Sequence, residues 1–287
     1  MDLNLRRRFF AEELEAVCRL QSAPLVDAFA TVPRERFLRP GPWTVMADVD
    51  FMGPSRTRQT SDADPARVYH NIAVAIDPSR QLFNGQPGTL GVWIDALGLA
   101  AGERVLHVGA GLGYYTAVMA QCVGASGRVV AYEVDAALAA EARQNLTGLA
   151  TIDVRHGDAS AVDGPFDAIL VNAGVTHPLG AWLDALRAGG RMMVPLTSAM
   201  PAMGATLGKG LVFALSKRSA TDFTARAIAP VAVYSAVGLR DDTMNERLAT
   251  AMMAGPMTWA VVKRLRRDAH DETASCWLHG QGFCFGS

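Results

Sequence analysis

The feature that most constrains this chain is a glycine-punctuated bend, Val105-Leu106-His107-Val108-Gly109-Ala110-Gly111-Leu112-Gly113-Tyr114. An apolar run precedes it and a helix-forming run, Tyr114–Val123, follows, so the glycines fall where a strand hands over to a helix. Backbone without a Cβ turns tightly there and lets a ligand approach closely. Glycines alone shape many turns. This bend gains weight from a second strand, Arg128–Glu133, whose last residue is a carboxylate twenty positions after Gly113. An acid at that tip can accept both hydroxyls of a ribose. A third strand, Ile152–Arg155, leads into Gly157-Asp158-Ala159, where Asp158 can accept from an adenine amino group. The three features in this order predict an adenosine-containing ligand.

The spacing narrows the ligand further. Nicotinamide dinucleotides call for G-x-G-x-x-G/A, with a small residue at the third position. Here the third glycine comes one residue early and Tyr114 stands where the small residue should be. A ligand without a pyrophosphate fits better, and S-adenosylmethionine is the expected cofactor.

From about residue 91 strands and helices alternate. Arg104–Val108, Arg128–Glu133, Ile152–Arg155 and Phe166–Asn172 read as strands, with helices at Tyr114–Val123 and Ala136–Leu146. A further helix, Leu179–Leu186, is expected to stop at Gly189-Gly190 before a fifth strand, Arg191–Pro195. This alternation predicts βαβ units and a parallel sheet. Leu211–Ser216 and Phe223–Val233 read as an antiparallel pair, Met244–Met253 as a helix and Phe283–Phe285 as a terminal strand. Upstream, Phe10, Leu14, Val17 and Leu20 give residues 9–30 an amphipathic helical period, and Pro24 suits the first turn of a helix running through Phe29. Pro40, Pro42, Pro54 and Pro65, with Gly41, Gly53 and the polar run Ser55–Asp64, mark residues 38–68 as a long irregular loop of the kind that covers a site. The expectation is an α/β chain in three parts: a helical cap with a substrate loop over 1–90, a cofactor-binding domain over 91–240 and a C-terminal extension over 241–287.

With 27 basic and 28 acidic residues among 287, the chain has no global field drawing it to nucleic acid or to an anionic membrane. Arg6-Arg7-Arg8 and Lys263-Arg264-Leu265-Arg266-Arg267 are read as solvated faces. Cys18, Cys122, Cys276 and Cys284 show no paired framework, which favours a reducing compartment. The N-terminal basic residues are followed by Ala11-Glu12-Glu13-Leu14-Glu15 rather than an apolar core, and no run is long enough to span a bilayer. A cytoplasmic protein is expected, acting on a protein, peptide or small-molecule acceptor without nucleic acid or membrane. The sequence leaves the oligomeric state open. Cys276, His279 and Cys284 invite a zinc reading but offer three ligands without an obvious fourth, and no metal is expected.

The chain resembles the protein-L-isoaspartate O-methyltransferases. The residues that carry the resemblance are Val32-Pro33-Arg34-Glu35-Arg36-Phe37, the Gln86-Pro87 turn, Gly102-Glu103-Arg104-Val105-Leu106 with the glycine bend, and Pro165-Phe166-Asp167-Ala168-Ile169. They end with Leu186-Arg187-Ala188-Gly189-Gly190-Arg191-Met192-Met193-Val194-Pro195. They cover about residues 25–235 in the family's order. The resemblance implies a Rossmann-like class I methyltransferase fold: a mostly parallel sheet with an antiparallel C-terminal hairpin and an N-terminal helical cap. It implies a cofactor site at Gly109, Ala110, Gly111, Gly113, Glu133, Asp158 and Ala159. Asn172, in the small-residue turn Asn172-Ala173-Gly174, would lie beside the methionine end.

The departures gather on the acceptor side. The family's substrate loop reads Thr-Ile-Ser-x-Pro, whereas this chain has Phe83-Asn84-Gly85-Gln86-Pro87, with Gly85 in place of the serine. His107 replaces the acid that usually precedes the glycine bend. Asn84, Gly85 and Gln86 are the candidate acceptor loop, and His177 is the candidate base for a hydroxyl or amine acceptor. A carboxylate acceptor, ionised near neutrality, needs no base. The leading reading is transfer of a methyl group to a protein or peptide carboxylate. Two alternatives remain: a small-molecule or RNA methyltransferase on the same scaffold, and a non-catalytic cofactor-binding interaction protein.

Overall fold

Apolar residues at three- and four-residue spacing bury Phe10 and Leu14 on α1 (Leu3–Cys18), in a computed structural model that describes residues 2–47, 56–199 and 206–287. Asp2 caps its first turn. The helix ends at Arg19, whose left-handed backbone (φ 56°) breaks the expected run through residue 20. Val17 is consequently exposed, while Leu20 packs inward from beyond the helix. α2 (Ala23–Thr31) starts anew under a Ser22 cap, with Pro24 in its first turn as the sequence suggests.

The chain divides into two compact units, Met1–Gly157 and Asp158–Ser287. In the first, residues 38–68 are more ordered than an irregular loop, although 48–55, including Gly53, Pro54 and Ser55, lie outside the described residues. β1 (Thr44–Met46) pairs antiparallel with β2 (Arg58–Gln59) and with β3 (Ala73–Asp77), which in turn pairs with β4 (Leu82–Phe83). Strands of two and three residues are too short for a period-two pattern to register in sequence. After α3 (Pro87–Leu97) come β5 (Arg104–Val108), α4 (Tyr114–Val123), β6 (Arg128–Glu133), α5 (Ala136–Asn145) and β7 (Ile152–His156). β5, β6 and β7 form parallel ladders in that order, as two βαβ units require. Phe29 and Phe37 lie against Tyr114, with ring centroids 6.5 and 5.8 Å away, so the helical cap packs on the first turn of α4.

The second unit holds β8 (Phe166–Val171), α6 (Gly180–Ala185), β9 (Leu186–Ala199), β10 (Leu207–Lys217), β11 (Asp222–Tyr234) and α7 (Asp242–Met253). It ends with β12 (Arg264–Arg266), β13 (Cys276–Gly280) and β14 (Phe283–Gly286). β8 and β9 are parallel. From β9 onward the strands run antiparallel, in the order β9-β10-β11-β12-β14-β13. The antiparallel part therefore extends well beyond the single hairpin expected, because β12 and β13 are short and carry no clear alternation. Gly189-Gly190 do not stop a helix. They fall inside β9, at a register shift where β8 advances from Phe166 to Ala168 while β9 advances from Leu186 to Arg191. The glycines absorb the irregularity without side chains to place.

Candidate cofactor site and acceptor loop

The glycine bend closes against the end of β6, and one of its N–H groups reaches a buried carboxylate. Gly109 (φ 82°), Gly111 (φ 54°) and Gly113 (φ 96°) all sit in left-handed backbone, which residues with a Cβ adopt at a cost. The N–H groups of Gly109 and Ala110 both donate to the Tyr132 carbonyl, at 2.9 and 3.0 Å, fastening the bend to the end of β6. Gly111 N–H donates to Glu133 Oε2 at 2.8 Å, and Asp135 N–H donates to Glu133 Oε1 at 3.0 Å. Each carboxylate oxygen thus spends one lone pair on the protein and keeps another. Glu133 is 7% exposed. Burial pushes its pKa above the ordinary value, and the N–H groups of Asp135 and Gly111 pull it part of the way back. Such an acid, held in place and only half satisfied, suits a pair of ribose hydroxyls.

The small sheet bears directly on this bend. Ile76 of β3 packs with Leu112 and Leu138, and its Cδ1 would stand 3.2 Å from a Cβ placed on Gly111. Arg80 pairs with Asp135 at 2.7 Å, and Asn145 Nδ2 donates to the Leu112 carbonyl at 3.0 Å.

His107, where the acid was expected, is fully buried at the end of β5. Nδ1 meets Thr116 Oγ1 at 2.8 Å, and Nε2 has no partner. Burial pushes its pKa down to about 3, so the ring is neutral in the folded chain. The unfolded chain takes up a proton near pH 6.5. Stability from this group is therefore complete above pH 6.5 and is lost as the pH falls towards 3. Between pH 7 and pH 5, urea unfolding is expected to show wild type losing roughly 2 kcal/mol more than His107→Gln.

The acceptor-loop residues lie just before α3. Asn84 is buried; its Oδ1 accepts from Val74 N–H at 2.9 Å, and its own N–H donates to the Val74 carbonyl, while Nδ2 finds no partner. Gln86 Nε2 donates to the carbonyls of Ala47 and Asn71, both at 2.9 Å, so it fixes the loop with its amide already engaged. Gly85 has φ 81°, and a Cβ there would stand 2.9 Å from Leu90 Cδ2. Tyr115 Oη donates to the Gly85 carbonyl at 3.0 Å. Restoring the family's residue with Gly85→Ser is therefore expected to cost about 1–3 kcal/mol in urea unfolding. No gain in methyl transfer to isoaspartyl peptides should accompany it.

Asp158, Ala159, Asn172 and His177 belong to the second unit. Ser160 N–H donates to Asp158 Oδ1 at 2.9 Å and holds that carboxyl below its ordinary pKa. Ala159 is buried in left-handed backbone (φ 58°), and its carbonyl accepts from Trp182 Nε1 at 2.8 Å. Asn172 follows directly on β8. The turn after it is pinned by Arg240, which donates to the carbonyls of Gly174 and Thr197, both at 2.8 Å, and to Asn245 Oδ1 at 2.7 Å. His177 Nδ1 meets Thr176 Oγ1 at 2.9 Å, and its ring stacks on Phe283 at 5.6 Å, where burial lowers its pKa. The basic runs are largely paired: Arg7 with Glu35 at 2.5 Å, Arg264 with Asp222, and Arg267 with Asp184 at 2.5 Å.

Sequence reading passed over two side chains that organise these loops. One is Arg240. The other is Arg34, fully buried, which donates to the carbonyls of Val68, His70 and Ile72 at 2.5, 3.1 and 2.6 Å. Only its place in the Val32–Phe37 motif pointed to it.

A parallel βαβ arrangement with a glycine bend beside an acid at the tip of the second strand is the nucleoside-binding arrangement of Rossmann-like folds, which the class I S-adenosylmethionine-dependent methyltransferases share. A sequence model of the protein-L-isoaspartate(D-aspartate) O-methyltransferases matches residues 9–204. Protein-L-isoaspartate O-methyltransferase 1 of Rhodopseudomonas palustris (strain HaA2) is 32% identical over 240 residues, covering 81% of this chain and 83% of that protein. The corresponding enzyme of Methylorubrum populi is 35% identical over 216 residues, 74% and 85% of the two chains. Among solved structures, a protein-L-isoaspartate O-methyltransferase superposes with a TM-score of 0.58 at 22% identity, over 86% of this chain and 71% of that one. Another, from Plasmodium falciparum in complex with S-adenosyl-L-homocysteine, gives 0.58 at 17% identity, over 80% and 97%. The chain belongs to the protein-L-isoaspartate O-methyltransferase family, and it is an S-adenosylmethionine-dependent methyltransferase. Among the described residues no helix is long and apolar enough to cross a membrane.

Proposed function

We propose that this enzyme transfers the methyl group to a carboxylate of a protein or peptide, with the cofactor held by the glycine bend and Glu133. The half-satisfied Glu133 carboxylate beside the Gly109–Gly113 bend carries the cofactor assignment. Glu133 would accept the ribose hydroxyls, and the bend would admit the nucleoside closely. Bound there, S-adenosylmethionine supplies a methyl group activated by its sulfonium. The chain's own task is then alignment, since an in-line displacement on carbon gains most from fixed geometry.

An ionised carboxylate attacks without help from a base. That suits a loop with no hydroxyl at position 85, and it leaves His177 as a packing residue against Phe283. Asn84 Nδ2, buried and unspent, is an amide donor that could orient an acceptor carboxylate, while the occupied Gln86 amide supports the loop. A small enclosed carboxylate acceptor is the second reading, favoured by the packing of Ile76 over the glycine bend. The paired arginines give no support to an RNA acceptor. We place the enzyme in the cytosol, in keeping with its four free cysteines.

Radiolabelled cofactor with isoaspartyl peptides and aspartyl controls tests the proposal. The expected result is a base-labile methyl ester on a carboxylate, formed within a few-fold of the wild-type rate by His177→Gln. A base-stable product that disappears in His177→Gln would point to a hydroxyl or amine acceptor. Tight cofactor binding without turnover on any carboxylate would overturn the acceptor assignment.

A further inference from the structure

The C-terminal β13–β14 hairpin takes no part in methyl transfer, yet it gathers four metal-binding side chains. Cys276 and His279 stand three residues apart, which in a regular strand would point them to opposite faces. The ladder prevents that. Cys276 lies opposite Gly286 and Leu278 opposite Phe285, so Trp277 is an extra, bulged residue that shifts Cys276 into the alternation of His279. Cys284 lies directly across from His279. The fourth group, His270, comes from the connection between β12 and β13. Its Nε2 stands 3.8 Å from Cys276 Sγ, and its ring meets that of His279 edge-on at 4.8 Å. One ligand atom from each of His270, Cys276, His279 and Cys284 lies within 4.8 Å of the other three.

We propose that these four residues form a closed, structural zinc site. A tetrahedral zinc ion with sulfur at ~2.3 Å and nitrogen at ~2.0–2.1 Å has ligand–ligand edges of about 3.3–3.8 Å. The four donors need to draw in by at most about an ångström to meet it. The hydrogen bonds around His270 already favour metal ligation. Nδ1 lies 2.8 Å from the Asp268 carbonyl, which can only accept, so Nδ1 carries the proton and Nε2 keeps its lone pair towards Cys276. Ligating histidines are oriented in this way, by a carbonyl on the far nitrogen. Arg266 Nε donates to that lone pair at 3.2 Å and would give way to the ion.

A second observation is independent of the clustering. His279 Nδ1 is buried and has no hydrogen-bond partner, so one of its nitrogens is unspent. Two cysteines and two histidines, with no carboxylate among the four ligands, select zinc over magnesium or calcium. On binding, two thiol protons leave to solvent, and two thiolates with two neutral imidazoles balance the dication. Sequence reading stopped at three ligands because His270 lies in a loop with no motif around it.

Untagged full-length protein, purified with reductant and without chelator, is expected to contain about one zinc per chain by elemental analysis. After removal of the metal, Co²⁺ should bind one to one, giving thiolate-to-metal charge-transfer absorption and tetrahedral visible bands that Zn²⁺ abolishes. His270→Ala and Cys284→Ser should each weaken Zn²⁺ by about a hundredfold or more, with S-adenosylhomocysteine binding unchanged. Three results would overturn the proposal: no stoichiometric metal, a cobalt spectrum without charge-transfer bands, or a wild-type chain two hydrogens lighter, with Cys276 and Cys284 joined as a disulfide.

Discussion

Glu133→Ala is expected to weaken S-adenosylhomocysteine binding by about a hundredfold or more, measured by titration calorimetry on protein whose fold is verified. Hydrogen bonds to a charged acceptor are worth about 1.5–3 kcal/mol each, and the ribose would make two. The variant also strands the Gly111 and Asp135 N–H groups that now donate to the carboxylate at 2.8 and 3.0 Å. Glu133→Gln should fall between, because an amide keeps one acceptor but turns a donor towards one of those N–H groups. In turnover the loss should appear in the KM for the cofactor, with kcat recovered at saturation. Acidification should act in the same direction. Burial raises the Glu133 pKa, so affinity for ribose should fall as the pH drops through a value above that of an ordinary glutamate.

The second large effect is on stability. Arg34→Leu is expected to cost about 3–5 kcal/mol in urea unfolding, since each buried acceptor left without a donor costs about 1–3 kcal/mol. Three carbonyls, of Val68, His70 and Ile72, lose their donor at once, and the guanidinium that lies 5.8 Å from the Tyr114 ring is gone. Arg34→Lys should recover part of the loss, since an ammonium reaches fewer of the three carbonyls. The segment from Val68 to Ile72 leads into β3, whose Ile76 packs on the glycine bend. Arg34→Leu should therefore also weaken cofactor binding, by much less than Glu133→Ala does.

The cofactor half of the site was legible because its physics is local. Three glycines in left-handed backbone and an acid at the next strand's tip declare themselves within thirty residues of sequence. The acceptor half was legible only as a departure. Asn84, Gly85 and Gln86 could be singled out, but Asn84 turning its oxygen to Val74 and Gln86 spending its amide on Ala47 and Asn71 depend on partners fifteen and more residues distant in two of the three cases. His177 looked like a base because it follows a strand's carboxyl end; its stacking on Phe283, over a hundred residues later, is invisible to a pattern. The same limit hid Arg34, Arg240 and the short strands of the small sheet. Gly189-Gly190 misled for a different reason, since glycine pairs mark helix ends and strand bulges alike.

Calorimetric titration of the wild-type chain with S-adenosylhomocysteine, beside NAD⁺ under the same conditions, tests the central claim most directly. Saturable one-to-one binding of the nucleoside with no heat from the dinucleotide is the predicted result. A folded chain that ignores S-adenosylhomocysteine, or that prefers the dinucleotide, would contradict it.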